Sequence, residues 1–133
     1  MLELEGKTAL VFGVASEDSI AWAICQRLAE AGCNLILGFQ PRYRSRLFQL
    51  KDQLTAIEAF YPCDVASDEQ TKEFFDEWQK ESPGAKADIL VHAIGFAPRD
   101  TFDRHMLFNE MDSIDLAMRV SAHSLQRLMR HAV

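Results

Sequence analysis

Short apolar runs alternate with longer amphipathic segments along the chain. The runs are residues 8–12, 35–37, 57–61 and 89–91, which are rich in Leu, Ile, Val, Ala and Phe. Short runs of this kind are typical of strands that are buried on both faces of a parallel sheet. The sequence therefore predicts four strands, separated by segments long enough to form helices.

The segments after these runs repeat apolar residues at helical spacing. The first begins near Ser19 and ends before Gly32, which suits the left-handed position just past a helix end. Ser67 and Gln70 have the form of a capping box at the start of the third. The apolar positions predicted for the four helices are Ile20, Ile24, Leu28 and Ala31, then Leu47, Leu50 and Leu54, then Phe74, Phe75 and Trp78, and finally Ile114, Met118, Ser121, Leu125 and Leu128.

This alternation predicts an α/β fold of the Rossmann type: a doubly wound parallel sheet between helices, in three layers, with ligands at the carboxyl ends of the strands. Residues 1–133 are expected to form one dinucleotide-binding domain, with a loop from Gly95 to about Met106. Because a full dinucleotide-binding sheet continues past its fourth strand, the pattern suggests a domain truncated after that strand and its helix.

Composition narrows the classes of partner. The 133 residues are 48% hydrophobic and 26% charged, which is typical of a globular chain. With 14 basic and 20 acidic residues, the net charge of -6 argues against nucleic acid or an anionic membrane as partner. Cys25, Cys33 and Cys63 have irregular spacing, which indicates neither a disulfide framework nor a metal site. The sequence thus predicts a cytoplasmic protein without a metal.

The first strand runs into a turn of small residues that opens a helix. Gly13 ends the strand, and Ser19 precedes the helix. Free backbone N–H groups at such a helix start favour a phosphate, so this turn is a candidate pyrophosphate site. The usual G-x-G-x-x-G is absent, and the alternative is an ordinary turn in which Ser19 or Asp18 caps the helix.

The later strand ends carry further candidates. Gln40 lies where dinucleotide folds often hold the adenosine ribose with an acidic residue. Asp64, after the third strand, can accept a hydrogen bond from an adenine amino group while Val65 packs on the ring; alternatively Asp64 is a turn or cap residue. Gly95, after the fourth strand, would let the backbone approach a nicotinamide ribose closely. These signals converge on one edge of the sheet.

Three arginines, Arg42, Arg44 and Arg46, follow Gln40 directly. Guanidinium groups there could bind the 2'-phosphate of NADPH. The equally acceptable alternative is a solvated helix start with three surface arginines, so the choice between NADH and NADPH stays open.

Taken together, Gly13-Val14-Ala15-Ser16 with Ser19-Ile20-Ala21, then Gln40, Cys63-Asp64-Val65 and His92-Ala93-Ile94-Gly95-Phe96-Ala97-Pro98 resemble the NAD(P)H-dependent enoyl-(acyl-carrier-protein) reductases of bacterial fatty-acid synthesis. These enzymes form a divergent branch of the short-chain dehydrogenase/reductases. The resemblance covers the amino-terminal half of the family domain. Its most specific feature is the G-x5-S-I turn.

The resemblance implies NADH as cofactor and a site built from two sets of residues. Cofactor contacts would fall on Gly13, Ala15, Ser19, Ile20, Gln40, Asp64, Val65, Ile94 and Gly95, and substrate contacts on Phe96 and Ala97. It further implies an enoyl thioester on acyl carrier protein or CoA as substrate, reduced at its trans-2 double bond, and a homo-oligomer at full length.

The resemblance also implies a catalytic pair, spaced Y-x6-K, that belongs after Val133. Tyr43 and Tyr61 are the only tyrosines, and neither is followed by lysine at that spacing. We therefore expect no catalytic residue in this chain and no activity from the 133 residues alone. The alternatives are a non-catalytic NAD(P)-binding module and another short-chain reductase. The four histidines and Cys63 are expected to be structural.

Overall fold

A computed structural model describes residues 4–133 of the chain. Its four strands form one parallel sheet in the order β3-β2-β1-β4. Their bounds are Thr8–Phe12 for β1, Asn34–Phe39 for β2, Ile57–Pro62 for β3 and Ile89–His92 for β4. Phe12 lies opposite both Gly38 and His92, so the carboxyl ends of the central strands are level.

Helices cover both faces of the sheet. They span Ile20–Glu30 (α1), Arg44–Leu50 (α2), Asp68–Glu81 (α3), Met111–Met118 (α4) and Ser124–Ala132 (α5). One core cluster joins Trp22 of α1 and Leu47 of α2 to the sheet, and a second joins Phe74 of α3 and Leu128 of α5 to the opposite face. The three-layer, doubly wound fold predicted from the alternation is therefore confirmed.

The predicted buried face of α1 is wrong in part. Ile20 is 77% exposed, whereas Ala21, Trp22 and Cys25 are buried against the sheet. The helix carries two apolar stripes, and the sheet takes the one that contains the large indole of Trp22. The stripe through Ile20 and Leu28 instead borders a shallow apolar groove on the outer surface.

The starts and ends of the next helices also differ from the patterns. Leu54 lies outside α2, because a 3-10 turn over Lys51–Gln53 ends the helix and Leu54 itself is extended. Ser67 caps α3 as predicted, by accepting a hydrogen bond from the Gln70 N–H. The side chain of Gln70, however, accepts from the Asp64 N–H rather than completing the capping box. The expected loop after Gly95 contains two 3-10 turns, Arg99–Thr101 and Met106–Phe108.

The last helix differs most from its prediction, since a π-helical segment over Arg119–His123 joins α4 to α5. The wider π turn changes the angular offset between the residues on either side of it. Met118 and Leu125, predicted to be buried, are therefore 47% and 39% exposed. Ser124 is fully buried instead.

Ser124 connects the π segment to β4 through His92. The Ser124 hydroxyl donates to the Val120 carbonyl over 2.6 Å, so its oxygen must accept from His92 Nε2, 2.7 Å away. His92 therefore carries a proton on Nε2. Burial lowers the pKa of His92 below its ordinary value.

We expect this histidine to make folding stability depend on pH. A lowered pKa means that the unfolded chain binds the proton more tightly than the folded chain. The contribution is therefore fully present above the ordinary histidine pKa of about 6.5 and declines as pH falls from there through the lowered folded pKa. Urea denaturation of the wild type and of His92→Gln, which keeps a donor near Ser124 but does not titrate, measures it. Equal pH slopes between about pH 7 and 5 for the two proteins would contradict the expectation.

Candidate functional site

A cleft of about 330 Å³ opens at the carboxyl edge of the sheet, and residues following all four strands line it. Parallel strands direct their carboxyl ends to the same edge, which is why segments far apart in sequence meet there. Of the predicted site residues, those that line the cleft are Gly13, Ala15, Gln40, Asp64, Val65, Ile94, Gly95 and Phe96. Ser19, Ile20 and Ala97 do not line it.

The turn after β1 approaches the end of β4 closely at Gly13. Its φ of 116° is rare for residues with a side chain, and a Cβ there would lie 2.1 Å from the Ala93 carbonyl oxygen. Six residues later, the Ser19 side chain accepts from the Trp22 N–H and donates to the Ser16 carbonyl. The capping alternative for Ser19 is therefore correct for its hydroxyl. The first N–H groups of α1 remain the donors that a helix start offers to an anion.

The basic segment after β2 divides into one arginine at the cleft and two away from it. Arg42 lines the cleft, with its guanidinium carbon 4.8 Å from the centre of the Tyr43 ring. Arg44 lies over Phe48 instead, and Arg46 is exposed. Of the three arginines predicted as possible ligands of a 2'-phosphate, Arg42 is therefore the one that borders the cleft.

The turn after β3 is ordered around the Asp64 carboxylate. Asp64 Oδ1 accepts from the Ala66 N–H over 3.0 Å, while the Asp64 N–H donates to Gln70 Oε1 over 2.9 Å. Within residues 4–133, Asp64 Oδ2 and the Val65 N–H take part in no hydrogen bond. Adjacent residues that both line the cleft thus offer a second acceptor and a donor to a ligand.

The segment after β4 is held to the last helix by Ser121. Its hydroxyl accepts from the Phe96 N–H and donates to the Phe96 carbonyl, each over 2.9 Å. Gly95, next to Phe96, has open space where a Cβ would be. The Gly95 backbone is therefore accessible from the cleft. No contact within residues 4–133 would prevent a residue with a side chain at this position.

Several residues that line the cleft were not predicted to be site residues. They are Phe12, Val14, Gly38, Phe39, Tyr43, Cys63, Ala66, Ala93, Leu116 and Val120. Tyr43 could have been found from its place inside the basic segment that follows a strand. Leu116 and Val120 could not, because neither belongs to the periodic apolar positions of the predicted last helix. Leu116 lies on α4, and Val120 lies in the π segment.

Two cysteines and two of the remaining histidines have structural surroundings. Cys63 lines the cleft, but burial raises its thiol pKa to about 11, and burial raises that of Cys25 to about 12. Such thiols stay protonated and are poor nucleophiles at neutral pH. His105 accepts from the Leu107 N–H, and His131 stacks on Phe75.

The described residues contain neither a metal-ligating cluster nor a membrane-spanning helix. Within residues 4–133, no group of three or more His, Cys, Asp or Glu side chains could hold a metal ion. Every helix in that range is too short or too polar to cross a membrane.

Comparison with known proteins gives one consistent family. The family model described as Enoyl-(Acyl carrier protein) reductase matches residues 13–133. An enoyl-(acyl-carrier-protein) reductase (NADH), FabI, from Nostoc sp. is 35% identical over 132 residues, which cover 96% of this chain and 50% of that protein. The chain spans about half the length of the curated relatives it matches.

Solved structures of the same kind superpose closely. The Bacillus cereus enoyl-acyl carrier protein reductase, in complex with NADP+ and indole naphthyridinone, is 35% identical with a TM-score of 0.90, over 99% of this chain and 51% of that one. The FabI–NADH complex from Alistipes finegoldii is 27% identical with a TM-score of 0.86, over 99% of this chain and 46% of that one.

Proposed function

The chain belongs to the enoyl-(acyl carrier protein) reductase family, and we propose that residues 1–133 are one dinucleotide-binding domain, the NADH-binding half of such a reductase. The whole protein then reduces the trans-2 double bond of an enoyl thioester carried on acyl carrier protein or CoA. When bound, NADH supplies the hydride for that reaction. The residues of this chain bind and orient the cofactor.

The observation that carries the proposal is the paired acceptor and donor at the turn after β3. The Watson–Crick edge of adenine presents an amino donor beside a ring-nitrogen acceptor, which matches Asp64 Oδ2 and the Val65 N–H. Val65 is almost fully buried in the cleft wall and offers an apolar surface to the ring. This geometry supports an adenine site.

The other strand ends supply places for the rest of a dinucleotide. We assign the adenosine ribose to Gln40 and the pyrophosphate to the turn from Gly13 through Ala15 to Ser19 and Ile20. The nicotinamide ribose is assigned to Ile94 and Gly95, with Phe96 and Ala97 facing the acyl chain. Because Ser19 and Ile20 lie outside the cleft lining, we expect their backbone N–H groups, rather than their side chains, to meet the phosphate.

NADH is the proposed cofactor rather than NADPH. The predicted group of three arginines that could bind the 2'-phosphate of NADPH is not formed, because Arg42 lines the cleft but Arg44 and Arg46 do not. Gln40, at the proposed ribose position, is neutral. Two named structures of relatives contain NADH and NADP+, respectively, so titration with both cofactors is the direct comparison. Tighter binding of NADPH would reverse the assignment and point to Arg42 as its 2'-phosphate ligand.

A test of the adenine site is Asp64→Asn. The asparagine oxygen can still accept from the Ala66 N–H, which keeps the turn, but the NH2 group then meets the adenine amine, donor against donor. We expect NADH affinity, measured by cofactor fluorescence, to fall about 10- to 100-fold, the range for losing a hydrogen bond to a charged group. Asp52→Asn, an exposed change in the 3-10 turn after α2, is the control.

The same variant has a second readout that reports adenine directly. Reduced nicotinamide hypoxanthine dinucleotide has a carbonyl oxygen where NADH has the adenine amine, and its N1 carries a hydrogen where adenine N1 accepts one. Wild type should prefer NADH over this analogue. Asp64→Asn should lose most of the preference, because its NH2 group can donate to the hypoxanthine carbonyl while the Val65 N–H still favours adenine N1. Failure of the wild-type chain to bind either dinucleotide would refute the cofactor site altogether.

A second candidate function is a binding module without reductase activity. The observation that favours it is that residues 1–133 contain no Y-x6-K pair. NADH oxidation with crotonyl-CoA separates the candidates: we expect the 133-residue chain to bind NADH without oxidising it, and a protein with the remaining half of the family domain to do both. NADH oxidation by the 133 residues alone would contradict the proposal that this half binds the cofactor and the other half is needed for the reaction.

Self-association and a cytoplasmic location complete the proposal. Five large apolar side chains between residues 102 and 111 are 66–77% exposed, and such patches favour association between chains. They are Phe102, Met106, Leu107, Phe108 and Met111. Light scattering measures the oligomeric state of the wild type and of Leu107→Lys. A wild type that is monomeric, with no difference from Leu107→Lys, would argue against association through these exposed apolar side chains.

The proposed location is the cytoplasm, since three buried free cysteines fit a reducing compartment.

A further inference from the structure

Arg127, on α5, reaches across the helix layer to the turn that follows β3. Its side chain is only 18% exposed. The guanidinium makes two contacts there: Nη1 donates to the Val65 carbonyl oxygen, and Nε pairs with Asp68, the first residue of α3. This arginine comes from 62 residues further along the chain, whereas the turn's other side-chain hydrogen bonds come from Asp64, Ser67, Gln70 and Thr71 nearby.

The contact matters because of the peptide unit on which it falls. The Val65 carbonyl and the Ala66 N–H belong to the same planar peptide group. Arg127 binds its oxygen, and Asp64 Oδ1 accepts from its N–H over 3.0 Å. A peptide held at both ends has a fixed plane. A cation on the oxygen also polarises the group and makes its N–H a stronger donor.

The consequence reaches the Asp64 carboxylate. Because Oδ1 is bound by this oriented N–H, the rotation of the carboxylate is fixed, and Oδ2, which has no hydrogen bond within residues 4–133, is available to the adenine amine. We propose that Arg127 is a positioning residue for the adenine end of the cofactor: by holding the Val65–Ala66 peptide, it sets the orientation of Asp64 and thereby the preference for an amino-bearing purine. This inference rests on the proposed function.

An ordinary structural tie between α5 and α3 is the competing explanation. It would need only the ion pair with Asp68, and losing it would weaken the binding of every dinucleotide to the same extent. The Asp68 side chain is 84% exposed, and exposed ion pairs contribute little. The two explanations therefore differ in which variant has an effect and in which ligand reports it.

The test measures two affinities for each variant by cofactor fluorescence: that for NADH and that for reduced nicotinamide hypoxanthine dinucleotide. The wild type should prefer NADH at least about tenfold, since adenine donates from its amine to the Asp64 carboxylate and accepts at N1 from the Val65 N–H, whereas hypoxanthine does neither. Arg127→Met should reduce this preference by at least about threefold, because the Asp64 carboxylate is no longer fixed. Arg127→Lys, which keeps a donor for the Val65 carbonyl, should retain most of it.

Two controls separate positioning from packing. Asp68→Asn removes the ion pair but leaves the Val65 contact, so it should keep the wild-type preference. Arg130→Met is the matched change at an exposed arginine of the same helix and should do the same. If Arg127→Met does not fold, as judged by circular dichroism, Arg127→Leu takes its place: a preference that Arg127→Lys retains and Arg127→Leu reduces supports the role of Arg127, and equal preferences in the two variants overturn it.

The outcomes distinguish this inference from the function on which it rests. A wild-type chain that binds neither dinucleotide, or that shows no preference between them, removes the adenine site itself. A wild-type preference that Asp64→Asn strongly reduces and every Arg127 variant retains overturns only the role of Arg127. Equal losses for both dinucleotides in Arg127→Met also overturn it, in favour of the structural tie.

Discussion

Replacing Gly13 by alanine should cost about 2 to 4 kcal/mol of the free energy of unfolding and abolish measurable NADH binding. The added Cβ would lie 2.1 Å from the Ala93 oxygen and 2.7 Å from its carbonyl carbon. Both are backbone atoms at the end of β4, so no side-chain rotation relieves the clash. A φ of 116° adds a further penalty for any residue with a side chain. Urea denaturation and fluorescence titration measure the two losses.

Two other glycines separate the causes. Gly84 has a φ of 78° but open space around a built Cβ, so Gly84→Ala should show the conformational penalty alone, about 1 to 2 kcal/mol. Gly95 has neither a positive φ nor a neighbour, so Gly95→Ala should fold like the wild type. If Gly13→Ala were no more destabilising than Gly84→Ala, the close approach to Ala93 would not be the cause.

Replacing Gly38 by alanine should destabilise the protein by about 1 to 3 kcal/mol, the usual cost of overpacking a core. The new Cβ would meet the Phe12 ring at 2.1 Å. That ring is buried and lies between β2 and α3, with its centre 4.9 Å from the centre of Phe74. It has little room to move, so the sheet must open or the ring must leave its place. Thermal and urea denaturation measure the loss.

A double-mutant cycle tests that explanation. Phe12→Leu alone should destabilise by removing ring contacts, but combined with Gly38→Ala it should recover part of the loss, because the smaller side chain leaves space for the methyl group. The recovery also bears on the cleft, since Phe12 and Gly38 both line it. Strictly additive losses in the double variant would mean that the strain at Gly38 arises elsewhere.

The sequence predicts the layers of this fold well because parallel strands and their crossover helices have separate patterns. Residues 8–12 read as a buried run and form β1 with the predicted bounds. Periodicity alone gives poorer information on the helix faces. In α1 two apolar stripes compete, and the choice depends on how Trp22 fits the sheet, which is a property of the packed core.

For the candidate site, the sequence predicts the edge of the sheet but not the detailed contacts. Gly13 and Asp64 are recognisable because each follows a strand. The requirement for glycine at position 38 cannot be predicted from the sequence, because it arises from the pairing of β1 with β2, which places Phe12 opposite Gly38. The contact of Arg127 with Val65 joins residues 62 positions apart, and a helix pattern contains no information on it.

The π segment at Arg119–His123 has a consequence for aligning this protein with its relatives. π-bulges inside helices are compatible with an inserted residue that the helix absorbs without breaking. An alignment that places every gap in a loop would shift α4 by one position against any relative whose helix is regular there. Leu116, which lines the cleft, would then be matched with a residue one position away from its equivalent. A gap within 119–123 would keep the cleft positions equivalent on both sides of the turn.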